Sequence, residues 1–518
     1  MRCGGPEKRW IPEANGSGAA WLDYDRDGRM DLLIVNGSTM DKLRQIATGQ
    51  VPQVRDGSIY LYHNLGKGRF EDVAAGAGLS NPYWGTGVAV ADLDDDGYPD
   101  VLITNIGVDL LFRNNRDGTF TEVGRQAGLS RKIAWHTGAA FGDYDGDGLL
   151  DLYVAGYVDL GALNLDKPAP VCNYRGVPGF CGPKGLRGEG DVLYHNAGDG
   201  KFVDVTEHAG VKDTALYHGF TAVFDDFNQD GKLDIFVAND SDPNYLYLNQ
   251  GNGRFKEAGL PAGVAYSGDG RMQSNMGVAV GDLNNDGLLD ILTTTFSEDY
   301  FPVFQQQSPG LFEEVSAQAG LGIATVPFVG WACGFNDLDN DGARDLWTAN
   351  GHVYPKADIL SGTSYYQPVA VFKNGAGKFV KSFEFPARER TKSYRGGCAG
   401  DFNDDGKIDL AVLPVAGPPL LLENQTDAQS HWIGFDLRGR PGHRDAIGAK
   451  VRLRACGTVQ FETVRNGGSY LSVNDPRLHF GLGACASIDR VEIDWPGGRS
   501  QVVEHIAPDR YVTVRESY

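Results

Sequence analysis

The sequence predicts an all-β chain, a seven-bladed β-propeller followed by a small C-terminal β-sandwich-like domain. Three observations predict it. A nine-residue acidic motif recurs seven times, an apolar strand pattern enters and leaves each copy, and a Gly turn ending in Phe follows most copies. The 71 Gly among 518 residues, about twice the usual share, point to many tight turns and short strands.

The motif reads DYDRDGRMD at 23, DLDDDGYPD at 92, DYDGDGLLD at 143, DFNQDGKLD at 226, DLNNDGLLD at 282, DLDNDGARD at 337 and DFNDDGKID at 401, a mean spacing of 63 residues. Around each copy the grammar is that of "GTGVAVADLD", "DVLITN", "LLFRNN" and "TFTEV", four antiparallel strands that make one blade. A four-stranded blade with two apolar faces must stack radially on its neighbours to bury them. The Gly turn appears six times, from HNLGKGRF to KNGAGKF, while blade seven runs ENQTDAQSHWIG. Blade seven therefore has three strands or uses residues 431–437, and RWIPEAN is all that the N-terminus offers to close the ring. The propeller is expected over 1–428 and the second domain over 429–518.

Within each motif, positions 1, 3, 5 and 9 are carboxylates or amides, position 6 is the Gly of a sharp turn, and position 7 can offer its carbonyl. The candidate ligands are Asp23, Asp25, Asp27 and Asp31; Asp92, Asp94, Asp96 and Asp100; Asp143, Asp145, Asp147 and Asp151; Asp226, Asn228, Asp230 and Asp234; Asp282, Asn284, Asp286 and Asp290; Asp337, Asp339, Asp341 and Asp345; and Asp401, Asn403, Asp405 and Asp409. Hard oxygen donors in this number suit Ca²⁺ better than Mg²⁺ or Zn²⁺. Two carboxylates about 5 Å apart repel by about 3 kcal/mol at an effective dielectric near 20, so such a turn needs a cation. Up to seven Ca²⁺ are expected, one per blade. A single Asp-Gly turn could be an ordinary hairpin turn; seven with the same four offsets point to metal. An EF-hand is excluded, because the motif at 226 has Val237 where the bidentate Glu belongs and strands where helices belong.

On these loops the chain resembles FG-GAP/VCBS-repeat propellers of the integrin α-subunit type, whose DxDxDG loops bind Ca²⁺ between the first two strands of a blade. The segments "RDAIGAKVRLRA" at 444–455 and "NGGSYLSVNDPRLHFGLG" at 466–483 resemble an ASPIC/UnbV domain, so the whole is similar to the cartilage acidic protein family. The resemblance implies architecture and calcium; it implies no reaction.

Residues 430–518 alternate apolar and polar in short runs between Gly turns, the pattern of a small sandwich. Arg438, Arg440, His443, Arg444, Arg452 and Arg454 make this part locally basic, which favours docking on an acidic propeller. The net charge of −21 makes nucleic acid a poor partner, and no apolar run is long enough for a transmembrane segment. Of seven Cys, Cys172 and Cys181 bracket a Gly/Pro-rich insertion and are expected to pair; Cys456 can pair with Cys485; Cys333 and Cys398 lie in strand patterns as buried thiols. This usage fits an extracellular or periplasmic protein. No signal peptide pattern opens the chain, and a lipid-bearing Cys3 is the lesser alternative.

If the acidic loops join first and second strands, the first strands begin at the opposite face and ring the mouth of a central funnel. Their starts supply Trp84, Trp135, His136, Tyr217, His218, Asn275, Trp331, Tyr394 and Arg395; the loops after second strands add Asp240, Asp242, Glu298, Asp299, His352 and Tyr354. The expected role is a secreted binding, adhesion or scaffold module that takes a protein, glycan or small molecule at this rim. The alternative is a lyase, hydrolase or cyclase using His136, His218 or His352 with Asp240 or Glu298. No nucleophile, zinc or phosphate motif supports it. Trp and Tyr at such places also pack between blades, a lone His is also a structural donor, and "ANDSDPNYL" also reads as an Asx turn. The insertion at 157–191 lengthens the third interval to 83 residues and is expected to lie over the funnel as a lid.

Overall fold

Each acidic motif forms the hairpin between the first and second strands of one blade. In blade one, Ala19–Leu22, Asp31–Val35, Ile59–Asn64 and Phe70–Asp72 pair in chain order, all antiparallel. Blade four repeats the plan with Gly219–Asp225, Asp234–Asn239, Tyr245–Gly251 and Arg254–Glu257. The computed structural model describes residues 1–54, 57–386, 390–426 and 429–517. Second strands such as Asp31–Val35 and Asp100–Gly107 are buried throughout, because adjacent blades cover both of their faces. Blades two and three are joined at one end, where Ile106 pairs with Trp135 and Gly107 with Ala134.

Blade seven has three strands among the described residues, Tyr394–Gly400, Asp409–Pro414 and Leu420–Leu422. The expectation that 431–437 might complete it is corrected. His431–Arg438 pairs with Leu478–Gly483 and, in parallel, with Tyr511–Arg515, because Ile433, Phe435 and Leu437 belong to the core of the second domain. The expected propeller end at 428 lies outside the described residues.

The ring is held shut by side chains instead of a borrowed strand. In six blades an Asn or Gln at or just past the end of the third strand reaches back to the carbonyl at loop position 2 of the preceding blade, as in Asn114 to Tyr24 at 2.9 Å, Asn249 to Tyr144 at 2.7 Å, Gln306 to Phe227 at 2.8 Å, Asn374 to Leu283 at 3.0 Å and Asn424 to Leu338 at 2.8 Å, while Asn196 of blade three bonds Leu150 of its own loop at 3.2 Å. Asn64 of blade one makes the same bond to Phe402 of blade seven at 2.8 Å, which closes the circle. Arg2 also bridges to Ala416, and Gly417 N–H donates to the Met1 carbonyl at 3.2 Å.

The second domain stacks a three-stranded sheet on a four-stranded one, Thr458–Thr463, Lys450–Ala455, Arg490–Asp494 and Ser500–Val503, around Phe435, Val451, Leu453, Phe480 and Ile493. From it the segment 466–475 enters the propeller's central channel as a finger. Val473 bridges Ala20, Gly467 bridges Val223, Ser469 bridges Val278, and Tyr470 bridges Gly397, so one segment touches blades one, four, five and seven. Val88 N–H of blade two donates to Leu471 O at 3.1 Å. Innermost strands otherwise leave main-chain groups facing the channel, and the finger supplies partners for them. Gly18 shows how closely the chains approach: a Cβ there would lie 1.6 Å from Leu471 O.

The disulfides Cys172–Cys181 and Cys456–Cys485 are formed, and Cys3, Cys333 and Cys398 are buried free thiols. Cys3 Sγ donates to Pro12 O at 3.2 Å, so this side chain packs inward. No helix among the described residues is long and apolar enough to cross a membrane.

Candidate metal loops and the covered funnel

The seven loops share one construction. The position 1 carboxylate accepts the backbone N–H groups of positions 5 and 6: Asp92 from Asp96 at 2.9 Å and Gly97 at 2.7 Å, Asp226 from Asp230 at 3.0 Å and Gly231 at 2.8 Å. The turn needs two left-handed residues, the Gly at position 6 and the residue at position 4, such as Arg26 (φ 60°) and Asp95 (φ 57°). The Gly was legible in the sequence; the position 4 requirement was not, because Arg, Asp, Gln and Asn all stand there.

Position 9 is buried in all seven loops, and its carboxylate accepts two backbone N–H groups. Asp234 takes Phe227 N–H at 3.1 Å and Asn249 N–H at 2.7 Å, and Asp31 takes Tyr24 at 3.3 Å and Asn64 at 2.8 Å. Burial nevertheless pushes these carboxyls up, Asp100 to about 8, Asp151 to about 9 and Asp409 to about 8, with neighbouring loop carboxylates adding to the shift. Carboxyl oxygens of Asp23, Asp25 and Asp27, and of Asp92, Asp94 and Asp96, lie within 4.8 Å of one another. This donor set, oxygen-rich, anionic and desolvated, fits a hard divalent cation.

The second domain sits on this loop face. Asp445 accepts Asp92 N–H at 2.6 Å, Arg444 pairs with Asp95 at 3.2 Å, Lys450 pairs with Asp226, and Tyr511 OH donates to Asp401 at 3.1 Å. Arg477 joins Asp404 at 2.6 Å and Arg465 joins Asp225 at 3.0 Å. Of the six basic residues singled out in the sequence, Arg444 and His443 (3.8 Å from Asp143) face the propeller. Arg438, Arg440 and Arg452 pair with Asp436, Glu516 and Glu492 of their own domain. Lys450, Arg465 and Arg477 are the docking cations the sequence reading missed.

At the opposite face the predicted rim converges, but under a cover. Trp84, Trp135, Asn275, Trp331, Tyr394 and Arg395 are all buried, so the expected open rim is corrected at these positions. The short helix Pro12–Asn15 is buried over them, and Arg395 donates to Ala14 O at 2.5 Å while lying 4.2 Å over the Trp331 ring. The insertion reaches from blade three to blades five and six. Tyr174 packs on Phe296 at 5.4 Å and Tyr354 at 5.6 Å, Phe180 packs on Tyr354 at 5.1 Å, and Arg175 pairs with Glu298 at 2.5 Å. Asp299 is bound to Arg271 at 3.2 Å, and Tyr217 stacks on Tyr245 at 5.1 Å.

Two imidazole–carboxylate pairs lie beneath. His136 Nδ1 is 2.5 Å from Asp109, a partner the sequence reading missed because it stands in a loop of blade two, "IGVDLL". Burial disfavours the charged ring, yet Asp109 outweighs it and the His136 pKa rises. His218 Nδ1 is 2.7 Å from Asp242, and its Nε2 is buried without a partner. Asp240 does not join that pair; it accepts Tyr157 OH at 2.7 Å and Ser241 OH at 3.0 Å, and burial raises its pKa. His352 stands apart, accepting Tyr354 N–H at 3.1 Å, with burial and then Arg395 lowering it to about 3.

Comparison with known proteins follows this division of the chain. An FG-GAP-like repeat model matches residues 41–103, 92–154 and 226–293, and an ASPIC and UnbV model matches 439–518. Cartilage acidic protein 1 of Mus musculus is 26% identical over 96% of this chain and 73% of its own length; that of Homo sapiens is 26% identical over 93% and 69%. Among solved structures, an Agrocybe aegerita lectin described for recognition of non-reducing terminal N-acetylglucosamine aligns with TM-score 0.41 at 17% identity, over 78% of this chain and 87% of that one. BBS1N in complex with ARL6DN aligns with TM-score 0.42 at 9% identity, over 80% and 94%. The chain therefore carries FG-GAP-like repeats within 41–154 and 226–293 and an ASPIC and UnbV domain over 439–518, and over most of its length it is similar to cartilage acidic protein 1 at 26% identity.

Proposed function

We propose that the protein is an extracellular binding or scaffold module whose seven loops carry Ca²⁺. The observation that carries this reading is the sevenfold repeat of a buried position 9 carboxylate beside three further acidic or amide ligands. Seven such clusters next to one docked domain are hard to hold together without cations, and seven Ca²⁺ would take the net charge from −21 to about −7. Two disulfides and homologues named for cartilage, a tissue dominated by extracellular matrix, support the compartment. The contact surface for a protein or glycan is the funnel face, now built by the insertion, with Tyr217, Asp242 and Glu298 partly exposed at its edge.

A second reading is an enzyme, favoured by the His218–Asp242 and His136–Asp109 pairs. The cover over the funnel weighs against it, since a substrate would have to displace packed side chains.

Calorimetric titration of Ca²⁺ into the metal-stripped chain, with melting in Ca²⁺ and in excess chelator, tests the first reading. Chelation is expected to lower the melting temperature by about 10 °C or more, because ions bound by the folded state alone stabilise it by mass action. Equal melting in both buffers with no heat of Ca²⁺ binding would remove the reading.

A further inference from the structure

The residue that precedes the Asn or Gln at the end of the third strand occupies one register in every blade, fixed by the N–H bond from that Asn or Gln to the position 9 carboxylate. In blade six this residue is Lys373, whose ammonium lies 3.2 Å from Asp341 and also contacts Asp339. The register thus aims at the loop ligands. In blades one and three it is His63 and His195; the other blades have Arg113, Leu248, Gln305 and Glu423 there.

Both imidazoles enter the loop clusters in the same way. His63 Nδ1 is 3.1 Å from Asp31 Oδ1 and 3.7 Å from Asp25 Oδ2; His195 Nδ1 is 3.1 Å from Asp151 Oδ1 and 3.3 Å from Asp145 Oδ2. Each ring is set edge-on against the tyrosine at loop position 2, Tyr24 at 5.7 Å and Tyr144 at 6.4 Å. Those two loops alone have Tyr at that position, so the tyrosine and the histidine occur together.

We propose, resting on the reading of all seven loops as cation sites that accept Ca²⁺, that the loops of blades one and three are mixed nitrogen–oxygen sites in which a borderline first-row divalent ion of the zinc class displaces Ca²⁺, while the other five keep Ca²⁺. Imidazole nitrogen suits Zn²⁺, Co²⁺ or Ni²⁺, whereas Ca²⁺ takes oxygen donors. Nδ1 is the ligating atom because it is the one within reach of the loop carboxylates.

The full chain is stripped of metal, saturated with Ca²⁺ and titrated with Zn²⁺ by calorimetry, beside the His63→Gln/His195→Gln variant. Two Zn²⁺ equivalents are expected in the unmodified chain, each weakened by about tenfold or more in the variant. A second measurement needs no variant: Zn²⁺, but not Ca²⁺, should shield two histidines from diethylpyrocarbonate, read by peptide mass. Zn²⁺ binding that ignores the substitutions, or histidines equally reactive with and without Zn²⁺, overturns the proposal while Ca²⁺ binding stands. Histidine-dependent Zn²⁺ binding in a chain that takes no Ca²⁺ supports the proposal for these two sites and removes the calcium reading of the others.

Discussion

The two faces of the propeller are held by different mixtures of forces. On the loop face, acidic turns meet the Lys450, Arg465, Arg477 and Tyr511 side chains of the second domain, so charges and charged hydrogen bonds surround an apolar contact in which the domain's core continues into blades two and three and Phe461 joins the core of blades four and five. On the funnel face, Tyr174, Phe180, Phe296 and Tyr354 pack a disulfide-closed insertion onto blades five and six, and the buried helix Pro12–Asn15 covers the centre. The finger 466–475 spans both, since it leaves the loop-face domain and ends against Trp331, Phe220 and the Asn15 carbonyl beneath the funnel. Charge and a shared apolar core together hold the domain on the loops, and the buried tip anchors its finger beneath the funnel.

The comparison is broken most strongly at that tip. Tyr470 is fully buried, lies 4.9 Å from the Trp331 ring and donates to Asn15 O at 3.0 Å. Tyr470→Ala should cost about 3–5 kcal/mol, the range for removing a buried aromatic ring. Denaturant unfolding in Ca²⁺ measures it, and a loss below about 1 kcal/mol would mean that the finger is not part of the cooperative fold.

The difference between the faces also explains what the sequence could convey. The blades were legible because the motif, its flanking strands and its Gly turn repeat, and the period survives individual exceptions such as Asn228 or blade seven. The lid was legible because Cys172 and Cys181 bracket an irregular stretch that breaks the period. The finger was not. "NGGSYLSVND" reads as a loop, and its partners are main-chain groups of several blades, which leave no side-chain pattern to read. Topology groups the funnel residues, but burial depends on what lies above them, and Asp109 and Tyr157 reach His136 and Asp240 from loops with no distinguishing motif.

A smaller effect is expected from the covalent staple of the lid. The Cys172–Cys181 bond closes a short loop with 9 residues of sequence separation, and its removal by Cys172→Ser/Cys181→Ser should cost about 2–3 kcal/mol. That cost should fall on the lid, which rests on the propeller by a few aromatic contacts. Hydrogen exchange over 157–191 should quicken while the melting of the ring in Ca²⁺ moves by less than about 2 °C. A shared drop of both would show that lid and ring unfold as one unit.

Acid sharpens the contrast between the faces through two buried histidines. On the funnel face His352 is lowered to about 3 by burial and then by Arg395, and on the loop face His479 is lowered to about 4, chiefly by burial. Below the ordinary histidine value of about 6.5 the unfolded chain binds protons that the folded chain refuses. Stability therefore falls as pH drops from 6.5 toward the folded values. At pH 4.5, about two units below the unfolded value, His352 should cost about 2–3 kcal/mol relative to pH 7.5, and His479 slightly less because its folded form begins to protonate sooner. Gln at 352 keeps an acceptor for Tyr354 N–H but cannot titrate. The stability gap between the parent chain and His352→Gln should thus shift in favour of the variant by that amount between pH 7.5 and 4.5, measured by denaturant unfolding in Ca²⁺. A gap that stays constant across this range would mean that the ring is charged, or solvated, in the folded protein, and the covered funnel would then have to be open enough to admit water to it.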